Sequence, residues 1–211
     1  MPTRQINTTD QDEIEILKKW WKENGTSLVT GLVVGLTILF GWRGWNEYVD
    51  SQGMAASQYF EQMQNAIIQQ QAEKAEGVGN QLIDQYPGTV YATNAALALA
   101  ALSVERNDGA AARVHFQWVI EKSSFDSSRQ LAQLGVARTY LNDGNLEQAL
   151  NNLEGSDGIY RSHFSEVKGD VLRQKGDHAA ARAAYADALQ LTDVVDPRRE
   201  LLEMKIDEVK S

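Results

Sequence analysis

The sequence predicts an all-α protein: one N-terminal transmembrane helix followed by a stack of helical repeats, an α-solenoid. Three observations predict it. Residues Asn24 to Trp42 carry no charged side chain, and four of the five tryptophans stand around that run. From Tyr48 onward no stretch shows strand alternation bounded by turns, and the three prolines, Pro2, Pro87 and Pro197, interrupt no apolar period. Turn residues recur at similar spacings, with alanine and a large apolar residue at fixed offsets behind them.

The uncharged run comes first. As a helix rising about 1.5 Å per residue it spans roughly 28 Å, close to the thickness of a bilayer's hydrocarbon layer. Trp20 and Trp21 before it, and Trp42, Arg43 and Trp45 at its end, have the amphipathic character that suits the headgroup layer. Ser27, Gly31 and Gly35 put small residues on one face, where a second helix could approach closely. Glycine is common in membrane helices, so this face either packs or merely reflects composition. Arg4, Lys18, Lys19 and Lys22 precede the run, whereas only Arg43 follows it before Lys74. That imbalance predicts a cytosolic N-terminus and a C-terminal domain across the membrane. A cleaved signal peptide is the competing reading. It fits poorly, because the segment before the apolar core is long and slightly acidic, and the one small-x-small site, Ser51-Gln52-Gly53, lies far beyond Trp42.

The expected organisation is therefore a cytosolic tail over residues 1–23, a transmembrane helix over 24–45 and a periplasmic repeat domain over 46–211. Met1 to Asp12 is polar without an apolar period and is expected to lack regular structure. Ile14, Ile16, Leu17, Trp20 and Trp21 then form one greasy face opposite Lys18, Lys19 and Lys22. Two readings stand: a short amphipathic helix on the membrane surface, broken off at Asn24-Gly25, or the first turns of the membrane helix itself.

The totals exclude several function classes. The chain has 211 residues and a formal net charge of -9, and the negative excess is concentrated in residues 46–211, which disfavours binding of phosphate backbones and hence nucleic acid. There is no cysteine, so disulfides, a thiol nucleophile and thiolate-bound zinc are excluded. His115, His163 and His178 are scattered, and no HExxH, GxSxG, phosphate-loop or dinucleotide motif occurs. The acidic run Asp10-Gln11-Asp12-Glu13 lacks the glycine and distal glutamate of a calcium loop. No catalytic residue, cofactor or metal site is expected.

Aligning Asn107, Gly144 and Gly176 exposes the repeat. Five positions on stand Ala112, Ala149 and Ala181; four further on stand Phe116, Leu153 and Tyr185. The spacings of 37 and 32 residues bracket the tetratricopeptide period of about 34. The last unit carries the fullest pattern, with Gly169, Leu172, Gly176, Ala181, Tyr185 and Ala188. Gly169 and Ala181 are expected to be small where two antiparallel helices cross, and Tyr185 to fill the gap to the next pair. Tyr140 occupies a core position of its unit. An earlier, degenerate pair is expected, with Tyr59, Phe60, Met63, Ile67 and Ile68 on one helix and Ala75, Val78, Leu82 and Ile83 on the other, ended by Tyr86-Pro87-Gly88. Arg198 to Val209 could cap the stack. A plain helical bundle with accidental spacing is the alternative. Stacked pairs curve, and their inner wall can hold a peptide. Tyr91, Asn94, Gln130, Gln133 and Tyr140 are candidate groove residues, with packing the favoured role for Tyr140.

The run WWKENG from Trp20 to Gly25, the spaced Gly31, Gly35 and Gly41, the segment GWRGW from Gly41 to Trp45, the ending EMKIDEV from Glu203 to Val209 and the repeats together resemble the YfgM family over nearly the whole chain. These are ancillary subunits of the SecYEG translocon in Gram-negative bacteria. The resemblance implies a single-pass inner-membrane protein with a cytosolic N-terminus and a periplasmic tetratricopeptide-like domain. It implies partners: the translocon, a membrane-anchored periplasmic chaperone of the PpiD type, exported client polypeptides, and a cytosolic stress-response regulator acting on the tail. It implies no catalytic residues. A scaffold for envelope assembly or cytochrome maturation is the alternative that the anchor and repeats alone would allow.

Overall fold

The structure is a computed structural model that describes residues 8–155 and 158–209. Helices account for its regular structure, in the order α1 (Thr8–Ile68), α2 (Ala72–Gln85), α3 (Val90–Glu105), α4 (Gly109–Lys122), α5 (Asp126–Asn142), α6 (Leu146–Asn151), α7 (Arg161–Lys175), α8 (His178–Leu191) and α9 (Arg198–Glu208). The chain divides into two units, Met1–Ser51 and Gln52–Ser211.

In the first unit α1 is long and apolar enough to cross a membrane, and it is the one such helix among the described residues. One sequence expectation changes here, and one open alternative is resolved. Of the tail expected to lack structure, residues 1–7 lie outside the described residues, but the chain is helical from Thr8. The break at Asn24-Gly25 is also absent, so the greasy face from Ile14 to Trp21 belongs to the same helix as the uncharged run. The reason is local. Asn24 donates its side-chain amide to the Trp20 carbonyl at 3.1 Å instead of competing for the backbone, and the Trp21 indole lies over Gly25 one turn on. Thr30 and Thr37 donate their hydroxyls to the carbonyls of Thr26 and Val33, both at 2.8 Å, which satisfies these two groups within the helix.

The second unit is built from helix pairs: the last turns of α1 with α2, then α3 with α4, α5 with α6, and α7 with α8. Contacts at opposite ends show that partners run antiparallel. Tyr59 meets Tyr86 with ring centroids 5.6 Å apart, the Thr93 hydroxyl donates to Ser123 at 3.3 Å, and Ser162 shares a hydrogen bond with Thr192 at 2.6 Å.

One turn geometry recurs four times. Gln70, Asn107, Gly144 and Gly176 have φ of 57°, 58°, 75° and 84°, the left-handed conformation that ends a helix. Behind each, the next backbone N–H returns to the carbonyl five residues earlier: Gln71 to Ala66 at 2.8 Å, Asp108 to Ser103 at 2.9 Å, Asn145 to Tyr140 at 2.8 Å and Asp177 to Leu172 at 2.9 Å. The alanine five positions after each turn residue, namely Ala75, Ala112, Ala149 and Ala181, is fully buried. The aligned turns are thus four rather than three. The one the sequence alignment passes over is Gln70, because glutamine is not a turn signal. Gly144 and Gly176 serve conformation rather than packing, since a Cβ on either would meet nothing within 4 Å.

The core follows these pairs. Met63, Leu82, Leu99 and Val119 anchor the first half; Leu134, Ala137, Ala149, Leu153, Phe164 and Val171 the middle; Ala181, Tyr185, Ala188 and Leu202 the end. Burying Leu, Val or Met side chains contributes about 1.5–3 kcal/mol each, which is what selects this arrangement over isolated helices. Helix α9 closes the stack. It buries Leu202 and Val209, leaves Leu201 and Met204 in solvent, and holds Lys205 between Glu166 and Asp170 of α7, 2.8 Å from each.

Candidate peptide-binding cleft

The repeat unit has a cleft of about 600 Å³ between α2, α4 and α5. Helix α4 supplies most of it, because Arg113, Val114, Gln117, Trp118 and Glu121 recur every three or four residues and so share one face. Ile83 and Asp84 come from the end of α2, Val136 and Tyr140 from α5.

The polar groups are fixed by pairing. The Arg113 guanidinium donates to Asp143 at 2.6 Å and its Cζ sits 4.5 Å from the centroid of the Tyr140 ring. It is held by an ion pair and a cation–π contact together, which stiffens this wall. The Gln117 amide donates to Glu121 at 2.9 Å. Burial pushes the His115 imidazole below its ordinary value, with Glu76 opposing, so this side chain is neutral at pH 7. With Arg113 answered by Asp143, the cleft keeps the negative charge of Asp84 and Glu121 beside apolar Val114 and Trp118. Val114 is 67% exposed, an apolar side chain open to a ligand.

Of the five groove residues expected on the first helices, Tyr140 alone lines this cleft. Tyr91 packs its ring 5.8 Å from Phe60, Gln133 donates to the Asn152 carbonyl at 2.9 Å, Gln130 lies against Gly158, and Asn94 is exposed. Tyr91, Gln130 and Gln133 thus join neighbouring elements. The sequence shows which faces are apolar, but not how far apart two second helices stand, and that separation opens the cleft. His163 and His178 are not in it, and no group of three metal-binding side chains gathers among the described residues.

The other candidate residues fall where their chemistry places them. Ala112, Ala149, Ala181 and Ala188 are fully buried, Leu153 nearly so, and Phe116 packs its ring against Gly135. Tyr185 lies over Gly169 and donates to Asp170 at 2.8 Å; burial, reinforced by that bond, pushes its phenol well up. In the first unit Ser27, Gly31 and Gly35 are exposed, and a Cβ on either glycine would meet nothing within 4 Å. Trp20, Trp21, Trp42, Arg43 and Trp45 are exposed as well.

Comparison with known proteins follows the same outline. Residues 18–211 match the family described as a tetratricopeptide repeat-like domain. A Haemophilus influenzae protein named "Ancillary SecYEG translocon subunit" is 28% identical over 182 residues, covering 86% of this chain and 89% of its own length. Proteins of the same name from Escherichia coli and Neisseria gonorrhoeae are 28% identical over 206 residues and 27% identical over 211, each aligned along 97% of its own length. The apolar helix and these relatives fit a single-pass inner-membrane protein. Because the family match over residues 18–211 takes in the uncharged run together with the repeats, and the named relatives align along most of the chain, the chain belongs to the tetratricopeptide repeat-like family and, within it, to the YfgM family.

Proposed function

We propose that the chain is an ancillary subunit of the Sec translocon: a membrane-anchored interaction module that receives newly exported polypeptides and passes them to a periplasmic chaperone of the PpiD type. The observation that carries this reading is the joint match of anchor and repeats to relatives so named, along 86–96% of the chain. A repeat stack alone would fit many roles. The lysines before the helix and their scarcity after it support a cytosolic N-terminus and a periplasmic stack. The short cytosolic segment is free to meet a stress-response regulator.

The anchor has an energetic role. Confining the stack beside the export channel gives it an effective concentration on the order of millimolar there, so weak contacts suffice. The cleft suits such contacts. Val114 and Trp118 offer an apolar seat, and Asp84 and Glu121 favour segments with Lys or Arg beside an apolar side chain.

Two measurements test the reading. A fragment lacking residues 1–47 should keep its helical circular dichroism but no longer copurify with channel subunits; copurification at full yield would overturn the role of the anchor. A photoreactive amino acid at Val114 in the full chain should form adducts with exported polypeptides during secretion. Adducts from a control position on α9, such as Met204, but none from Val114 would remove the cleft from the mechanism.

A further inference from the structure

The second helices of the stack are not alike. Helices α4 and α8 have 14 residues each, whereas α6 has six and ends at Asn151. A short second helix leaves the first helix of the next pair partly uncovered. Beside α6 that helix is α7, and a cavity of about 500 Å³ stands there. Phe164 of α7 and Leu153, two residues past the end of α6, are buried and form its floor; Leu150 and Leu172 are half-buried along its edge.

Charge follows the same seam. Arg161, Lys168 and Lys175 stand seven residues apart on α7, so they share one face at intervals of about 10 Å. Lys175 is answered: its ammonium donates to Glu147, in the first turn of α6, at 2.6 Å. Because Glu147 begins α6 and Lys175 ends α7, the two helices run antiparallel, and further turns of α6 would pass Lys168 and then approach Arg161. Helix α6 stops short of both. Arg161 and Lys168 line the cavity, are exposed, and form no ion pair among the described residues, although Glu154 lines it too. Ser165, between them, donates to Asp187 of α8 at 2.6 Å, so that carboxylate already has a partner.

We propose that this cavity binds a short amphipathic helix of another polypeptide. The helix lies where further turns of α6 would lie, seats leucine-sized side chains on Leu153 and Phe164, and answers Arg161 and Lys168 with carboxylates seven residues apart. The proposal rests on reading the stack as an interaction module for polypeptides, and it adds a site to the cleft between α2, α4 and α5. Charge complementarity names the occupant. The repeat unit is acidic and repels an acidic segment over most of its surface, but here two unanswered cations stand beside an apolar floor. The cleft on α4 has the opposite preference, with Asp84 and Glu121 beside Val114 and Trp118. The two concavities thus divide segments by sign, basic with apolar at one and acidic with apolar at the other. A chain carrying both kinds of segment engages two sites, which prolongs its stay without a strong contact at either.

The chain has no cysteine, so an environment-sensitive fluorophore on Glu154→Cys, beside the cavity, is the only label. The full chain in detergent is titrated with a synthetic peptide, capped at both ends, that carries glutamates seven residues apart and leucines between them on the same helical face. The emission should change and saturate. A peptide of the same composition with its glutamates on the opposite face should bind several-fold more weakly, and one with lysine in place of each glutamate should leave the label silent. Arg161→Glu with Lys168→Glu should weaken the acidic peptide several-fold and leave the urea midpoint unchanged, because both side chains are exposed. Lys122→Glu with Arg182→Glu changes the net charge equally on other exposed surfaces and should leave binding as it was. A label that stays silent with the acidic peptide, equal binding of the rearranged peptide, or an equal loss in the control pair would each overturn the proposal. No channel subunit takes part, so failure here is distinct from failure of the translocon reading.

Discussion

The first and last helix pairs solve one packing problem with opposite residues. In the last pair the first helix is bare at Gly169, and the second helix fills the gap with Tyr185. In the first pair the first helix supplies Met63 at the corresponding position, and Gly79 takes the place of the tyrosine. Both crossings are closed and fully buried. What is kept is one large side chain facing one glycine, not the helix that supplies it. The two solutions differ in rigidity. Tyr185 is pinned by its bond to Asp170, whereas Met63 reaches Gly79 with a flexible thioether.

That difference sets the largest expected effect. A Cβ at Gly169 would lie 2.4 Å from Tyr185 Cδ1, and the ring cannot retreat without giving up Asp170. Gly169→Ala should destabilise the repeat unit by about 3 kcal/mol, seen as a lowered urea midpoint of the full chain in detergent. Tyr185→Leu should restore part of that loss in the double variant while costing stability alone. A double variant no more stable than Gly169→Ala would show that the clash lies elsewhere.

At Gly79 the same change should cost about 1 kcal/mol or less, because the atoms it would meet, Leu99 Cδ1 and Met63 Sδ at 3.0 Å, are ends of flexible side chains. Equal losses at Gly79 and Gly169 would remove the contrast between a pinned and a yielding filler.

The turns give the next contrast. Gln70 holds in the first pair the conformation that Gly176 holds in the last. A side chain in that conformation costs about 1–2 kcal/mol, offset in part by the entropy glycine loses on folding. Gln70→Gly should therefore stabilise by about 0.5–1 kcal/mol, and Gly176→Ala should destabilise by about 1 kcal/mol, both read as shifts of the melting temperature. A Gln70→Gly variant that melts lower would mean that the glutamine side chain makes a favourable contact of its own.

These contrasts also explain what was legible in the sequence. The uncharged run between tryptophan pairs announced the membrane helix because lipid tolerates few alternatives. The last three units announced themselves because a left-handed turn favours Gly or Asn, and Gly144, Gly176 and Asn107 stand there. The first unit was recognised only as a pair of apolar helices, since Gln70 and the exchange of Met63 with Gly79 keep the geometry while replacing the turn and crossing residues the motif looks for, so that Ala75 alone is kept. Asn24-Gly25 left two readings open. Its composition signals a break, but an amide bonded back to Trp20 and an indole over the glycine keep the helix intact. The cleft was hidden for a different reason: it depends on the spacing between second helices, which no local pattern encodes. Tyr140 was the one groove candidate from the sequence that lines it.

The smallest effect separates the two halves by acid. His163, at the start of α7, has a buried Nδ1 with no hydrogen-bond partner and lies edge-on to Tyr160 at 5.7 Å. Burial lowers its pKa, the Arg198 and Arg138 guanidiniums lower it further, and Glu166 and Asp196 oppose them. His115, in the first half, is lowered by burial against the opposing charge of Glu76. For both, the folded value lies below the unfolded one near 6.5, so the unfolded chain takes up the proton first as pH falls. Their contribution is fully present above about pH 6.5 and is lost as pH drops from there through the folded values. The urea midpoint should decline over that window, and His163→Gln or His115→Gln should each flatten the decline. Salt divides them. Screening weakens the push of Arg198 and Arg138 on His163, so added salt should shrink the His163 share, whereas at His115 it removes an opposing attraction and leaves burial untouched. If salt shrank both shares equally, guanidinium repulsion would not be what distinguishes the capped end of the stack from its beginning.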